Sequence, residues 1–274
     1  MKNTIELISI GTELLSGRTL NSHARALGEA LVKVGLNLSR DTTIPDDIAT
    51  IQSAVREAFA RTDIVVVSGG LGPTSDDITR DALAGLFGCR IVTSPAALAE
   101  LHKRFKDRGR TVTPAAERQA LILEGAETLL NSVGMAPGEL FFPDIGSERS
   151  ERGSAADAAG QRPEGVAKAL FIIPGPPNEF AAVLEDHIVP WLLLQFPDAV
   201  PLELRVLTTE GIGESDIVTR LEKESFQCPE IDIGFYPGHG RVEIRLNAPP
   251  GKMAALDAAE NALRAILRDK LVAE

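Results

Sequence analysis

The sequence is poor in cysteine, in positive charge and in long apolar runs. Its two cysteines, Cys89 and Cys228, have no CxxC pattern around them, so neither a zinc site nor a disulfide framework is expected. The formal net charge of −11 argues against a nucleic-acid-binding surface and against binding to anionic membranes. No apolar run approaches the length of a membrane span, and the N-terminus lacks a basic stretch followed by an apolar one. We therefore expect a cytoplasmic protein.

The pattern of apolar residues predicts an α/β protein with two domains, at 1–198 and 199–274. In the first domain strands and helices alternate, as in a Rossmann-like, mostly parallel sheet. The second domain has the pattern of a small α+β unit. The first predicted elements are strands at Glu6–Ile10, Leu36–Thr43 and Ile64–Ser68, and helices at Leu20–Val34 and Pro45–Ala60.

Later elements are predicted from shorter patterns. Residues 147–168 contain no aromatic residue and many small or charged ones, so we expect a flexible insertion within a hairpin. The other predicted elements are helices at Ala96–Asp107, Pro114–Leu123, Pro177–Leu194, Glu214–Glu224 and Met253–Leu271, and strands at Leu140–Phe142, Ala169–Ile173, Leu202–Thr208, Ile231–Tyr236 and Arg241–Leu246.

The most informative segment runs from Ser68 through the glycines Gly69, Gly70 and Gly72 to Asp76 and Asp77. Glycines let backbone N–H groups approach an anion closely, and a helix N-terminus adds partial positive charge. Two aspartates beside such a loop would repel a phosphate unless a divalent cation lies between them. The segment therefore predicts a metal-assisted nucleotide or phosphate site.

Other interpretations of this loop fit less well. A P-loop needs Gly-Lys-Ser/Thr, and no lysine is present; a dinucleotide fingerprint needs Gly or Ala where Ser75 stands. The simplest alternative is that Asp76 or Asp77 only caps a helix. Because asparagine keeps the size and capping ability of aspartate, we expect Asp77→Asn to change stability by less than about 1 kcal/mol.

The candidate site residues follow strands, where ligands of parallel sheets bind. We assign the catalytic roles to Asp77 and Asp76, and metal binding to Asp77, Asp76 and Glu13, although Glu13 can equally be a solvated turn carboxylate. Arg80 can neutralise phosphate, but an exposed helix arginine is the usual case. His23 can contact ribose or base, but an ordinary helix-surface histidine is the simpler expectation. The candidate substrate-binding residues are Gly11, Thr12, Asn21, Ser68, Gly69, Gly70, Gly72, Thr74, Thr79, Pro174, Gly175 and Glu179.

Four separated motifs together resemble one family, the N-terminal part of CinA, the competence/damage-inducible protein. The similarity covers nearly all of the chain except the insertion, and it implies a molybdopterin-binding-like domain followed by a small KH-like domain. The small domain lacks the basic Gly-x-x-Gly loop of an RNA-binding KH domain. The motifs are Gly11-Thr12-Glu13-Leu14-Leu15-Ser16-Gly17, Gly69–Arg80, Pro174–Glu179 and Gly211-Ile212-Gly213-Glu214-Ser215.

The resemblance implies a divalent-metal- and potassium-dependent pyrophosphatase acting on ADP-ribose, with Mg²⁺, Mn²⁺ or Co²⁺ as the metal. It also implies a homodimer. Related domains hydrolyse FAD or bind molybdopterin, so an FAD pyrophosphatase and a non-catalytic binding module remain alternatives. Full-length CinA carries a deamidase domain beyond the position of Glu274, so we expect no deamidase activity here. A third alternative is that the chain assembles with a separately encoded deamidase.

Three segments depart from the family pattern and place the substrate, rather than the fold, in question. The family usually has Asn-Thr-Asn where Asn21-Ser22-His23 stands, and a lysine-glutamine pair where Arg118-Gln119 stands. A Gly-Thr-Ala-Pro-Gly loop is replaced by Gly134-Met135-Ala136-Pro137-Gly138, which lacks the hydroxyl.

Overall fold

The structure is a computed structural model that describes residues 4–144, 168–201, 203–249 and 251–272. The chain divides into two compact units. The larger comprises Met1–Val32 and Leu36–Pro197, and the smaller comprises Lys33–Gly35 and Asp198–Glu274. The expected insertion lies outside the described residues except for Lys168. In the part of the chain that is described, no helix has the length and apolar character needed to cross a membrane.

A six-stranded sheet forms the centre of the larger unit, with strand order β2-β1-β3-β8-β7-β6. The first four strands in this order pair in parallel, and β7 and β6 pair antiparallel at the edge. The predicted mostly parallel α/β fold is therefore confirmed. The strands of the unit are β1 (Thr4–Ile10), β2 (Asn37–Ile44), β3 (Ile64–Ser68), β4 (Ile91–Thr93), β5 (Leu121–Leu123), β6 (Glu127–Leu129), β7 (Gly138–Phe141) and β8 (Ala169–Ile173), of which β4 and β5 form a separate pair.

The helices of the larger unit bury apolar faces against this sheet. Asp47, for example, caps its helix by accepting a hydrogen bond from the Thr50 N–H at 2.8 Å, and Ile51, Val55 and Phe59 of that helix are buried. The helices are α1 (Thr12–Leu15), α2 (His23–Lys33), α3 (Ile48–Arg61), α4 (Thr79–Phe87), α5 (Pro95–Asp107), α6 (Pro114–Glu117), α7 (Pro177–Val183) and α8 (Val189–Gln195).

The helix predicted at Pro114–Leu123 is wrong beyond its first turn. After α6 the chain forms a 3₁₀ turn at Arg118–Ala120 and then enters β5, which pairs with β4. The pairing buries Ile122 and Leu123, and this tertiary contact outweighs the local helical pattern. The predicted helix after Pro177 does form, but a π-helical segment at Leu184–Ile188 separates α7 from α8. Pro190 has no N–H with which to continue a regular α-helical pattern.

The topology creates a crevice at one edge of the sheet. All residues of β3 and β8 are buried, as expected for strands covered on both faces. From β1 the chain passes through α2 to β2 on one side, whereas β3 is flanked by β8 on the other side. The strand order therefore reverses between β1 and β3, and ligands of open α/β sheets bind outside the carboxyl ends of strands at such a point.

The smaller unit is a three-stranded antiparallel sheet with strand order β10-β11-β9 and two helices. Its core includes Leu207, Ile217, Ile244 and Leu256. The final helix predicted to reach Leu271 ends earlier, because the last residues return to β9: the Val272 N–H donates to the Thr208 carbonyl at 2.8 Å. The elements are β9 (Glu203–Glu210), α9 (Glu214–Lys223), β10 (Asp232–Gly238), β11 (Arg241–Ala248) and α10 (Met253–Ile266).

Candidate functional site

The loops that follow β1, β3 and β8 surround a cleft of about 570 Å³ in the larger unit. The cleft brings together ten of the predicted site residues. The lining residues are Ile10, Gly11, Glu13, Leu14, Thr19, Leu20, His23, Asp46, Gly69, Gly70, Leu71, Gly72, Pro73, Asp76, Asp77, Gln119, Ala136, Pro174, Gly175, Pro176, Pro177 and Glu179.

The glycine loop after β3 has a backbone that only glycine accommodates easily. Gly69 and Gly70 have φ angles of +107° and +65°. A Cβ at Gly69 would lie 2.2 Å from the Ile10 carbonyl oxygen, and one at Gly70 would lie 2.3 Å from Thr79 Oγ1. These glycines are therefore favoured by their positive φ angles and by the close approach of the Ile10 backbone and the Thr79 side chain, whether or not a ligand is bound.

Ser68 and Thr79 are predicted substrate-binding residues, but both side chains are buried and hold loops in place. The Ser68 hydroxyl donates to the Pro174 carbonyl at 3.0 Å, which ties the loop after β3 to the loop after β8. The Thr79 hydroxyl donates to the Gly69 carbonyl at 2.8 Å, so it does not back-bond within its helix. Neither residue lines the cleft.

The Asp77 carboxylate braces the glycine loop. One oxygen accepts from the Gly72 N–H at 2.7 Å, and the other accepts from the Thr74 N–H at 2.8 Å and the Thr74 hydroxyl at 2.5 Å. The residue before α4 is Ile78, and no side-chain hydrogen bond caps that helix. Asp77 therefore fixes the conformation of the loop that precedes it, and the simple capping role does not describe it.

Asp76 projects from the same loop and is exposed. The neighbouring Thr74 side chain and the backbone N–H of Asp76 hold the pKa of its carboxyl below the ordinary value. Asp76 is therefore charged at neutral pH and accessible from the cleft that it lines.

Glu13 and Asp46 line the cleft beside the end of β1, whereas Thr12 does not line it and instead holds Asp46. Asp46 accepts hydrogen bonds from the Thr12 N–H at 2.8 Å and the Thr12 hydroxyl at 2.9 Å, which fixes the start of α1. The Glu13 carboxylate lies over Gly11, since a Cβ at Gly11 would be 2.6 Å from Glu13 Oε1. The glycine thus makes room for a carboxylate that faces the cleft.

His23 is buried, and the expectation of a surface histidine is wrong. Its ring stacks on Phe180 with centroids 4.2 Å apart and an interplanar angle of 3°. Burial lowers the pKa of His23, and a hydrogen bond to the Gly175 backbone partly offsets this. The Asn21 side chain accepts from the His23 N–H at 3.1 Å and so helps to begin α2 there. Asn21 therefore acts at the helix start and does not line the cleft.

Glu179 links the loop after β8 to the turn before β7. The Asn131 amide donates to Glu179 at 2.7 Å, and the Arg104 guanidinium donates to the carbonyls of Asn131 and Gly134. Burial raises the pKa of Glu179, whereas Asn131 and Arg104 lower it. A Cβ at Gly134 would lie 1.8 Å from Glu179 Oε2, so glycine is required where the two segments meet.

Arg80 is buried, contrary to the expectation of an exposed helix arginine. Its Nε donates to Glu139 at 2.7 Å, and its Nη1 donates to the Leu71 carbonyl at 3.1 Å. The other Glu139 oxygen accepts from the Leu123 N–H at 2.8 Å. The guanidinium thus supports the glycine loop from beneath and does not line the cleft.

The charged side chains described in the cleft lining are all acidic. Its lining includes five carboxylates, from Glu13, Asp46, Asp76, Asp77 and Glu179, but no lysine or arginine from the described ranges. Backbone amides are the main source of positive potential, because α4 and α7 both begin at this edge. The N–H groups of Gly70 and Gly175 also donate to no acceptor within the described residues.

A divalent ion in the cleft would take most of its ligands from water or substrate, because the described residues offer no cluster of metal-binding side chains. Among residues 4–144 and the later described ranges, no group of three or more His, Cys, Asp or Glu side chains is arranged to hold a metal. Mg²⁺ usually binds one or two carboxylates and keeps water or substrate phosphate as its other ligands. Asp76 with Glu13 or Asp77 can supply carboxylates of this kind.

Sequence reasoning missed several cleft residues. The sequence places Asp46 only in a helix start, and it marks Gln119 only as part of a departure from the family pattern. The role of Asp46 depends on its hydrogen bonds to Thr12, which is distant along the chain. The clue for Asp46 was its position after β2, at the same sheet edge as the end of β1.

Comparison with known proteins agrees with this fold. Residues 6–193 match a family model described as a probable molybdopterin binding domain. A CinA-like protein of Akkermansia muciniphila is 35% identical over 260 residues, covering 95% of this chain and 57% of that protein. A CinA-like protein of Nostoc sp. is 33% identical over 253 residues, covering 92% of this chain and 54% of that protein.

A solved structure of a CinA protein is also similar to this chain. The crystal structure of the protein CinA from Thermoplasma acidophilum, described as having unknown function, is 31% identical with a TM-score of 0.53. The match covers 66% of this chain and 94% of that one. The chain therefore belongs to the family of CinA-like proteins that contain a molybdopterin-binding-type domain. It spans little more than half the length of the curated relatives described above.

Proposed function

We propose that the cleft hydrolyses a nucleoside diphosphate linkage, with ADP-ribose as the leading substrate and FAD as the alternative. The observation that carries this proposal is the combination of backbone amides and a carboxylate-rich lining without lysine or arginine. An amide loop at two helix starts suits phosphate, but the five carboxylates oppose a pyrophosphate approaching alone. A divalent cation between the two removes the conflict.

The residues of the chain take distinct roles in this proposal. The free N–H groups of Gly70 and Gly175 bind phosphate oxygens, and Asp77 holds the glycine loop in the conformation that presents them. Asp76 and Glu13 are the metal-binding carboxylates, with Asp77 as a further candidate. When bound, the metal would neutralise phosphate charge and lower the pKa of an attacking water.

The proposal also names the ions that the reaction would use and the assembly of the chain. Mg²⁺, Mn²⁺ or Co²⁺ would serve as the divalent ion, with K⁺ as a second ion. A cytoplasmic homodimer and association with a separately encoded deamidase remain predictions.

The test is cleavage by the purified chain. ADP-ribose, FAD, NADH and a sugar nucleotide would each be incubated with Mg²⁺, Mn²⁺ or Co²⁺, with and without K⁺. We expect AMP release from ADP-ribose that EDTA abolishes, and the Asp76→Asn variant serves as the control against a contaminating hydrolase. Absence of cleavage of all four compounds would overturn the proposal and favour a binding module.

A further inference from the structure

The start of the loop after β8 can offer a ligand only one backbone N–H group. Residues 174–177 read Pro-Gly-Pro-Pro, and proline has no N–H, so Gly175 carries the amide donor of these four residues. That N–H donates to no acceptor within the described residues. The orientation of a single peptide plane therefore decides whether this stretch can bind an oxygen atom of a ligand.

A hydrogen bond from the end of β3 fixes this peptide plane. The buried Ser68 hydroxyl donates to the Pro174 carbonyl at 3.0 Å. In a trans peptide the carbonyl and the following N–H point in opposite directions, so the Gly175 N–H points away from Ser68. Gly175 lines the cleft, whereas Ser68 does not. The bond from Ser68 therefore turns the free N–H away from the buried end of β3.

His23 holds the other side of Gly175. Burial lowers the pKa of His23, whereas its hydrogen bond to the Gly175 backbone raises the pKa. A hydrogen bond raises the pKa of a histidine when the ring is the donor, so the acceptor is the Gly175 carbonyl. The ring is itself fixed by its stack on Phe180, with centroids 4.2 Å apart and planes within 3°. Phe180 lies in α7 and donates its N–H to the Pro176 carbonyl at 2.9 Å, so ring and loop share one support.

Gly175 needs restraint on both sides. A Cβ at this position would lie 3.3 Å from the Gly69 Cα atom, so glycine lets the two loops lie close together. The same lack of a side chain gives glycine more backbone freedom than any other residue. Ser68 restrains the peptide group before Gly175, and His23 restrains the peptide group after it. Among the described side chains, loss of the His23 bond would leave Ser68 to orient the Gly175 amide alone.

We propose that His23 is a positioning residue that orients the Gly175 amide toward a phosphate oxygen. The imidazole N–H holds the Gly175 carbonyl, and the stack on Phe180 holds the imidazole. This inference rests on the proposed function, which supplies the phosphate ligand, and it assigns His23 no contact with the reacting atoms. The asparagine that the family usually has at this position also carries a side-chain N–H.

Binding of magnesium pyrophosphate tests this role without requiring turnover of a nucleotide. His23→Phe keeps an aromatic ring beside Phe180 but has no N–H to donate. Isothermal titration at pH 7.5 should show its affinity for magnesium pyrophosphate reduced about tenfold, the loss expected for one hydrogen bond. At least one of His23→Asn and His23→Gln should bind within about threefold of the unmodified protein, because each keeps a side-chain N–H.

Leu27→Ala is the matched control for disturbance of α2. Leu27 is buried one turn after His23 and does not line the cleft, so its truncation should lower the melting temperature by at least about 5 °C and leave the affinity unchanged within about twofold. The positioning role would be overturned by an unchanged affinity in His23→Phe, by an equal loss in Leu27→Ala or in all three His23 variants, or by an unmodified protein that does not bind magnesium pyrophosphate. Binding with the expected pattern but without cleavage of any nucleotide would contradict the proposed function alone.

Discussion

Replacing Asp76 and Asp77 separately with asparagine should separate metal binding from loop structure. The two oxygens of Asp77 accept hydrogen bonds from different backbone N–H groups, those of Gly72 and Thr74. Asparagine has only one oxygen, so in Asp77→Asn its amide nitrogen must face one of these donors. Hydrogen bonds to a charged acceptor contribute about 1.5–3 kcal/mol, so we expect a loss of about 2 kcal/mol in unfolding free energy. This exceeds the change of less than about 1 kcal/mol that the sequence alone predicts for Asp77→Asn.

Asp76→Asn should behave in the opposite way. The Asp76 side chain is exposed, so its replacement should leave the melting temperature within about 1 °C of the unmodified protein. For a unit of this size a loss of about 2 kcal/mol lowers the melting temperature by about 4–8 °C, so the two variants are easily distinguished by calorimetry. Metal-dependent AMP release should fall at least about a hundredfold in Asp76→Asn.

Two results would refute this reasoning. A melting temperature of Asp77→Asn equal to that of the unmodified protein would mean that the loop does not depend on the charged carboxylate. Turnover of Asp76→Asn at the unmodified rate would move the metal-binding role to Asp77 or Glu13. Titration with Mg²⁺ distinguishes two causes of lost turnover. Excess Mg²⁺ restores the activity if Asp76→Asn only weakens metal affinity, but it does not restore the activity if a reacting group is lost.

Three further predictions follow from other contacts. Because burial lowers the pKa of His23 below its ordinary 6.5, the unfolded chain binds the proton more readily than the folded chain does. The unfolding free energy should therefore fall as the pH drops below 6.5, by at most about 1.4 kcal/mol per pH unit. Thermal scans at pH 7.5 and 5.5 should show a smaller fall for His23→Phe. Gly134→Ala should destabilise by about 1–3 kcal/mol because the methyl group meets Glu179, whereas Gly28→Ala, with nothing within 4 Å, should be neutral or stabilising in the same denaturation assay. Replacing residues 147–167 with a short turn should leave the melting temperature within about 2 °C, because their composition cannot build a core; a larger drop would show that they pack on the protein.

The sequence predicted elements well where the local pattern was uniform. Strand β3 has the predicted bounds because five consecutive residues, Ile64–Ser68, suit a strand covered on both faces. The sequence predicts a helix at Leu121–Leu123 because three residues are too few to establish a period, and their partner strand β4 is not adjacent along the chain. Local pattern therefore identified long elements and failed at a short one.

The sequence likewise predicts some residues of the candidate site and not others. The glycine loop and its two aspartates were identified because they are contiguous in sequence. The burial of His23 against Phe180, and of Arg80 against Glu139, depends on partners that no local pattern specifies. Sequence reasoning can therefore propose which loops meet, but it cannot determine which polar side chains support those loops from beneath.

The contacts of Arg80 and Glu139 restrict movement of the glycine loop. The pair connects the Leu71 carbonyl of the glycine loop to the start of β7 and, through the Leu123 N–H, to β5. Displacing the loop would break the hydrogen bond from the buried Arg80 guanidinium to the Leu71 carbonyl, which costs about 1.5–3 kcal/mol, and a ligand can drive such a change only through its preference for the displaced state. This side of the cleft is therefore preorganised. Adjustment to ligands of different size is expected on the opposite wall, where Thr12 and Asp46 hold α1 through exposed hydrogen bonds.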